Sequence, residues 1–251
     1  MRRSVTQEDL TTFAQLDMVY NKVRVLEAKQ NSTEFKCLGS GRCCHIGLVI
    51  PMMECAHIAF RLIQEYYQEL EMNGEEEATR FMERVIASLK ERMHDETWQA
   101  GGETEEYCAF YAGGCSIYGY RPLVCRSFGT ITSVDNYCPR IRNAEGNIDY
   151  FGGPAVRETI QEYQDLIARY VSDKATGYDV TVYMPLGVLS FLLTDEELEE
   201  LADTTDEKFW SAVVGWFNYR VEFVKAHGHS RETIEEESKR TNIPIAFKFQ
   251  D

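Results

Sequence analysis

Seven of the eight cysteines in this chain fall in two arms, Cys37-x5-Cys43-Cys44 and Cys108-x6-Cys115-x9-Cys125-x12-Cys138. Both arms lie on turn-rich sequence, with glycines at 39, 41 and 47 in the first, glycines at 113, 114, 119 and 129 in the second, and prolines at 122 and 139. Glycine gives such backbone the conformational freedom to wrap round an ion. A thiolate is a soft anionic ligand suited to zinc and to iron-sulfur clusters, so the pattern calls for a fold that brings two distant arms to one metal centre. The competing reading of any single cysteine is a small buried hydrophobe. Cys55 fits that description, because it shares a helical face with Ile58 and Leu62. A Cys-x-His pair with His57 is the alternative for it.

With 251 residues, 44% of them apolar, the chain can bury a core without help from a metal, so the cysteines require a chemical explanation. The N-terminal MRRSVTQEDLTTF has two arginines and no apolar stretch behind them, which does not make a secretory signal. A cytoplasmic location is expected, and there thiols are kept reduced and are read first as metal ligands. The longest apolar stretch, residues 182–193, is interrupted by Pro185 and Gly187 and falls short of the roughly 20 residues that span a bilayer, so no membrane partner is expected. Acidic residues outnumber basic ones by 41 to 26, for a formal charge of −15. That balance favours solubility and disfavours nucleic acid as a partner.

The hydrophobic pattern is mainly α with minor β: a helical single domain with irregular cysteine-rich loops wrapping a metal centre. Phe13, Leu16, Tyr20, Val23 and Leu26 mark a first helix, with Thr6-x-x-Asp9 as its capping pattern; Cys55, Ile58, Leu62 and Tyr66 mark a second; Phe81, Val85, Leu89 and Met93 a third. Ile160, Tyr163, Ile167 and Tyr170 define another helix after Pro154, and residues 179–184 suggest a short strand. Thr194-x-x-Glu197 and Thr204-x-x-Glu207 read as capping boxes, the second opening a helix through Phe209, Val213, Trp216 and Phe223. The terminal IPIAFKF suggests a strand or a docked tail. The natural subdivision is a cysteine-bearing part over 1–150 and a helical part over 151–251 packed on it.

The segment CSIYGYRPLVCRSF at 115–128, preceded by FKCLGSGRCC at 35–44, resembles the Cys-x-Ile-Tyr-x-x-Arg-Pro-x-x-Cys-Arg signature of the YkgJ-like cysteine-cluster family, a zinc- or iron-chelating domain. The resemblance covers roughly residues 35–140. It implies a bound metal, with Cys37, Cys43, Cys44, Cys108, Cys115, Cys125 and Cys138 as the matching ligand positions. Ser40 stands where family members often carry a further cysteine. A flagellin lysine methylase is similar in its cysteine segment, although this chain has no Gly-rich methyl-donor loop.

Arg42, Arg121, Arg126 and Arg140 lie close in sequence to these cysteines. Guanidinium groups beside a thiolate-bound cluster would stabilise its negative charge, which makes Arg42, Arg121 and Arg126 candidate cofactor-binding residues; the alternative is that Arg121 and Arg126 pin the loop through backbone carbonyls. Tyr107, Phe110, Tyr111, Tyr118, Tyr120 and Phe128 would shelter the centre or simply belong to the core. His45 is a secondary ligand candidate, and His227-Gly228-His229 is spaced like a metal pair but follows an expected helix end, where a solvated loop is the favoured reading. Three functions follow. The first is an iron-sulfur protein, [4Fe-4S] being the expected cluster, that transfers electrons or senses redox state or oxygen through a redox or other protein partner. The second is a zinc-stapled protein-interaction module. The third is a metal-dependent modification enzyme of methylase-like type, so the sequence leaves enzymatic activity open.

Overall fold

The computed structural model describes residues 6–30, 42–45, 47–94, 106–127, 154–173, 181–205 and 207. The architecture is mainly α. Among these residues the helices are α1 (Gln7–Gln30), α2 (Met52–Asn73), α3 (Glu75–Glu91), α4 (Leu123–Ser127), α5 (Pro154–Asp173), α6 (Met184–Leu192) and α7 (Asp195–Thr204). Two short strands, β1 (Val49–Pro51) and β2 (Thr181–Tyr183), pair antiparallel with Ile50 opposite Val182.

α1 starts where its sequence says it should. The Thr6 hydroxyl accepts from the Asp9 N–H at 3.2 Å while the Asp9 carboxylate accepts from the Thr6 N–H at 2.8 Å, a reciprocal cap. Phe13, Leu16, Tyr20 and Val23 are then buried, and the helix lies against α5, whose Tyr163, Leu166 and Ile167 complete one core with Met53 and Leu123. α2 and α3 form an antiparallel pair joined by Gly74. Its φ of +87° lets one residue end α2, with its N–H on the Leu70 carbonyl, and begin α3. α6 closes over this pair, and Ile58, Leu62, Leu89, Val188 and Leu189 are the centre of a second core.

α2 stands between the two cores. Its residues from Met53 to Ala59 are all buried, so the first two turns are enclosed on every side. Cys55 faces α6, where Gly187 leaves the space it needs: a Cβ there would sit 2.5 Å from the Cys55 Sγ and 2.6 Å from the Val182 Cγ1. His57, two residues on, points the opposite way toward α1, with its Nε2 3.2 Å from an Asp17 oxygen and its ring 5.5 Å from that of Phe13. Residues two apart on a helix do not face each other, which rules out the Cys55–His57 pairing.

Two local expectations are corrected, and one element was not foreseen. Met93 is buried but lies beyond α3, in a 3-10 turn at Arg92–His94. Thr204 is the last residue of α7 rather than the cap of a new helix, and its hydroxyl donates back to the Glu200 carbonyl at 2.9 Å. β1 carries no sequence signal of its own, because three residues are too few for alternation to register. The Thr194–Glu197 box forms as expected and opens α7. The helix through Phe209 and the terminal IPIAFKF lie outside the described residues.

Candidate metal centre

The second cysteine arm, from Glu106 to Ser127, folds as consecutive tight turns. The Tyr111 N–H donates to the Cys108 carbonyl at 2.9 Å, Ser116 to Phe110 at 2.8 Å, Tyr118 to Cys115 at 3.2 Å and Tyr120 to Ile117 at 3.0 Å. Tyr111 and Cys115 pair as an isolated antiparallel bridge, and Gly113 at φ +74° supplies the left-handed residue at the tip. Phe110 and Ile117 plug into the α2–α3–α6 core, the Ser88 hydroxyl donates to the Ala109 carbonyl at 2.8 Å, and Leu123 enters the other core. The loop is thus fastened to both hydrophobic centres.

One backbone hydrogen bond joins the two arms: the Cys108 N–H donates to the Cys44 carbonyl at 2.5 Å. Cys44 belongs to a 3-10 turn at Arg42–His45, and Cys44, Cys108, Cys115 and Cys125 are all half-buried. Cys37, Cys138, Ser40, Phe128, Arg140, His227 and His229 lie outside the described residues, as do the side chains of Arg42 and Cys43. Among the described residues no three Cys, His, Asp or Glu side chains already converge as a metal-binding group. Cys44 and Cys108 do share the wall of a cavity of about 20 Å³, together with Arg92, Glu106, Tyr107 and Tyr183. Cys55 is a fully buried free thiol, pushed well up by burial and by the neighbouring Glu54 charge, which keeps it a neutral packing group.

The arginines of the signature do mechanical work in this loop. The Arg126 Nε donates to the Arg121 carbonyl at 2.9 Å and its Nη2 donates to the Gly119 carbonyl, while its guanidinium lies 4.2 Å from the centre of the Tyr20 ring. Arg121 stacks over Tyr118, 4.0 Å from the ring centre. The aromatics divide. Phe110 is core, whereas Tyr107 and Tyr118 are close to half exposed and cannot keep water out, and the His45 ring rests on Tyr107 at 3.9 Å. Burial and the Glu65 charge push the Tyr120 hydroxyl above its ordinary range, and Cys115 adds to the push.

The group that fixes the end of the loop is one the sequence did not single out. Glu54 is fully buried, and its Oε1 accepts from the Tyr20 hydroxyl at 2.5 Å and from the Leu123 N–H at 2.7 Å. Leu123 opens α4, the short helix that carries Cys125 and Arg126. The carboxyl is raised by its burial, against the pull of the Tyr20, Leu123 and Tyr163 hydrogen bonds and of the Arg126 charge. A capping-type acceptor thus reaches α4 from α2, 69 residues away in sequence. No local pattern could have announced it.

Residues 36–140 match a family model described as "CxxCxxCC: Putative zinc- or iron-chelating domain". That stretch is a CxxCxxCC domain. The CxxCxxCC domain begins just before Cys37 and ends just after Cys138, so it takes in both cysteine arms, α2, α3 and the whole turn-rich loop. Its description is of a domain that chelates zinc or iron, and the half-buried thiols fit either ion in kind. No curated protein and no solved structure matches the chain. Among the described residues no helix is long and apolar enough to cross a membrane.

Proposed function

We propose that the CxxCxxCC domain holds an iron-sulfur cluster, of the [4Fe-4S] type, and that the protein transfers electrons or reports redox state or oxygen to a protein partner. The observation that carries this reading is the number and placement of thiols. Four half-buried cysteines lie on a loop and a turn joined by the Cys44–Cys108 hydrogen bond, and three more flank them in sequence, an all-thiolate donor set from which the four cysteines of a cluster can be drawn. Ligands drawn from Cys37, Cys43, Cys44, Cys108, Cys115, Cys125 and Cys138 would supply the thiolate shell. When bound, the cluster would supply one-electron chemistry at a potential set by net charge, hydrogen bonds and exposure.

The test is cofactor content in single variants. Cys115→Ser and Cys125→Ser should each lose iron and sulfide, while Cys55→Ser, which alters only the packing against Gly187, should keep both. Equal loss at all three positions would defeat the assignment of Cys55 as a packing residue, and cofactor kept in both Cys115→Ser and Cys125→Ser would defeat theirs as ligands.

One observation favours zinc as a second reading. The cavity between Cys44 and Cys108 has room for about a single water-sized species, which suits one ion better than a cluster. In that case the metal staples the two arms, and the helical surface is the interacting part. Zinc without sulfide in protein prepared under strict anaerobiosis would establish it.

A further inference from the structure

Arg92 occupies an unusual position for an arginine. It sits in the 3-10 turn after α3 and is only 9% exposed. Its Nη2 pairs with Glu106 and lies 3.3 Å from Glu91, both carboxylates being more than half exposed. Its Nε and Nη1 are buried and have no hydrogen-bond partner among the described residues. A guanidinium retains its charge under all ordinary conditions, so two dry, unpaired N–H groups on a permanent cation are costly unless negative charge is brought to them. Arg92 lines the cavity shared by Cys44 and Cys108. The exposed carboxylates are screened by water and so offset only part of this charge.

We propose that Arg92 is the buried counter-charge of the metal centre, stabilising the negative charge that thiolate ligation places at Cys44 and Cys108 from across their common cavity. The four arginines near the cysteines in sequence suggested such a role; among the described residues, the arginine that lines this cavity follows the end of α3. The inference rests on metal binding at these cysteines but does not depend on whether the metal is zinc or iron, because either thiolate-bound centre is electron-rich.

The experiment is chelator competition on the full chain, loaded with the metal it carries on purification, comparing wild type with Arg92→Gln, Arg92→Lys and Glu106→Gln at one pH and one salt concentration. A unit charge at cavity range is worth about a tenfold change in metal affinity at an intermediate dielectric. Arg92→Gln should therefore weaken retention about tenfold, and Arg92→Lys should recover much of the loss because it restores the charge without the shape. Glu106→Gln should tighten retention by removing the carboxylate that offsets the guanidinium. That variant lies at an exposed site, so it keeps the proposal open to refutation even if Arg92→Gln does not fold. Retention unchanged in Glu106→Gln, or lost equally in Arg92→Lys and Arg92→Gln, overturns the counter-charge role while leaving the metal centre standing. A wild-type protein that binds no metal overturns both.

Discussion

Replacing Glu54 tests how the cysteine loop is held. In Glu54→Ala the Tyr20 hydroxyl and the Leu123 N–H, which both donate to Oε1, lose their acceptor inside the protein. A buried donor left without a partner costs about 1–3 kcal/mol. Two of them, together with the void left at a fully enclosed position, give an expected loss of about 3–5 kcal/mol. Glu54→Gln retains an oxygen able to accept both bonds but turns the buried Oε2, which has no hydrogen-bond partner among the described residues, into an amide donor, so its loss should be about 1–3 kcal/mol and smaller than that of alanine. The two variants also differ in pH dependence. Burial, the largest influence on Glu54, raises its carboxyl, so the folded protein holds this proton more tightly than the unfolded chain. The stability it contributes is complete below the ordinary carboxylate range and is lost as pH rises through the raised value. Wild type should show that decline above the ordinary range, and Glu54→Gln should not. Urea unfolding at several pH values, followed by circular dichroism at matched metal loading, reads both effects. The reasoning is refuted if the glutamine variant falls as far as the alanine variant, or if its pH slope equals that of wild type.

Two glycines should respond to alanine for different reasons. Gly187→Ala drives a methyl group into the Cys55 thiol and Val182, and should cost about 1–3 kcal/mol, part of it regained by adding Cys55→Ala. Gly74→Ala meets open space but inherits a φ of +87°, so its cost of about 1 kcal/mol should be unaffected by changes at any neighbour; thermal melts of the single and double variants separate the two. At Asp17, burial pushes the carboxyl up, but the His57 hydrogen bond and charge and the Arg61 guanidinium outweigh it and hold the group below its ordinary value. Its stabilisation is therefore present above the ordinary carboxylate range and lost as pH falls through the lowered value. Asp17→Asn should be less stable by about 1–2 kcal/mol at neutral pH, with the gap from wild type closing in acid, as denaturation curves across pH would report.

Much of the fold was legible in the sequence. The three- and four-residue spacing of Phe13, Leu16, Tyr20 and Val23 becomes the buried stripe of α1, and the cap of Thr6 and Asp9 and the box of Thr194 and Glu197 form as the local chemistry requires. The packing of Cys55 was equally plain from its neighbours Ile58 and Leu62. What periodicity could not reveal is the second buried face of α2. Nothing local marks Glu54, or His57, weighed only as a partner for Cys55, as enclosed by Tyr20, Leu123 and Asp17 arriving from elsewhere in the chain. Arg92 escaped for the same reason. Sequence proximity pointed to the arginines beside the cysteines, two of which, Arg121 and Arg126, are occupied with a ring and with carbonyls, while the arginine that lines the Cys44–Cys108 cavity among the described residues follows the far end of a helix. The cysteine arms announced their chemistry, and their meeting at the Cys44–Cys108 hydrogen bond is a product of tertiary structure.

The most direct test of the central claim is an absorption spectrum taken together with iron, acid-labile sulfide and zinc analysis on protein purified without oxygen. A brown sample with a broad band near ~400 nm and iron matched by sulfide is the predicted result. A colourless protein carrying zinc and no sulfide would contradict the iron-sulfur assignment and leave the two cysteine arms as the halves of a structural staple.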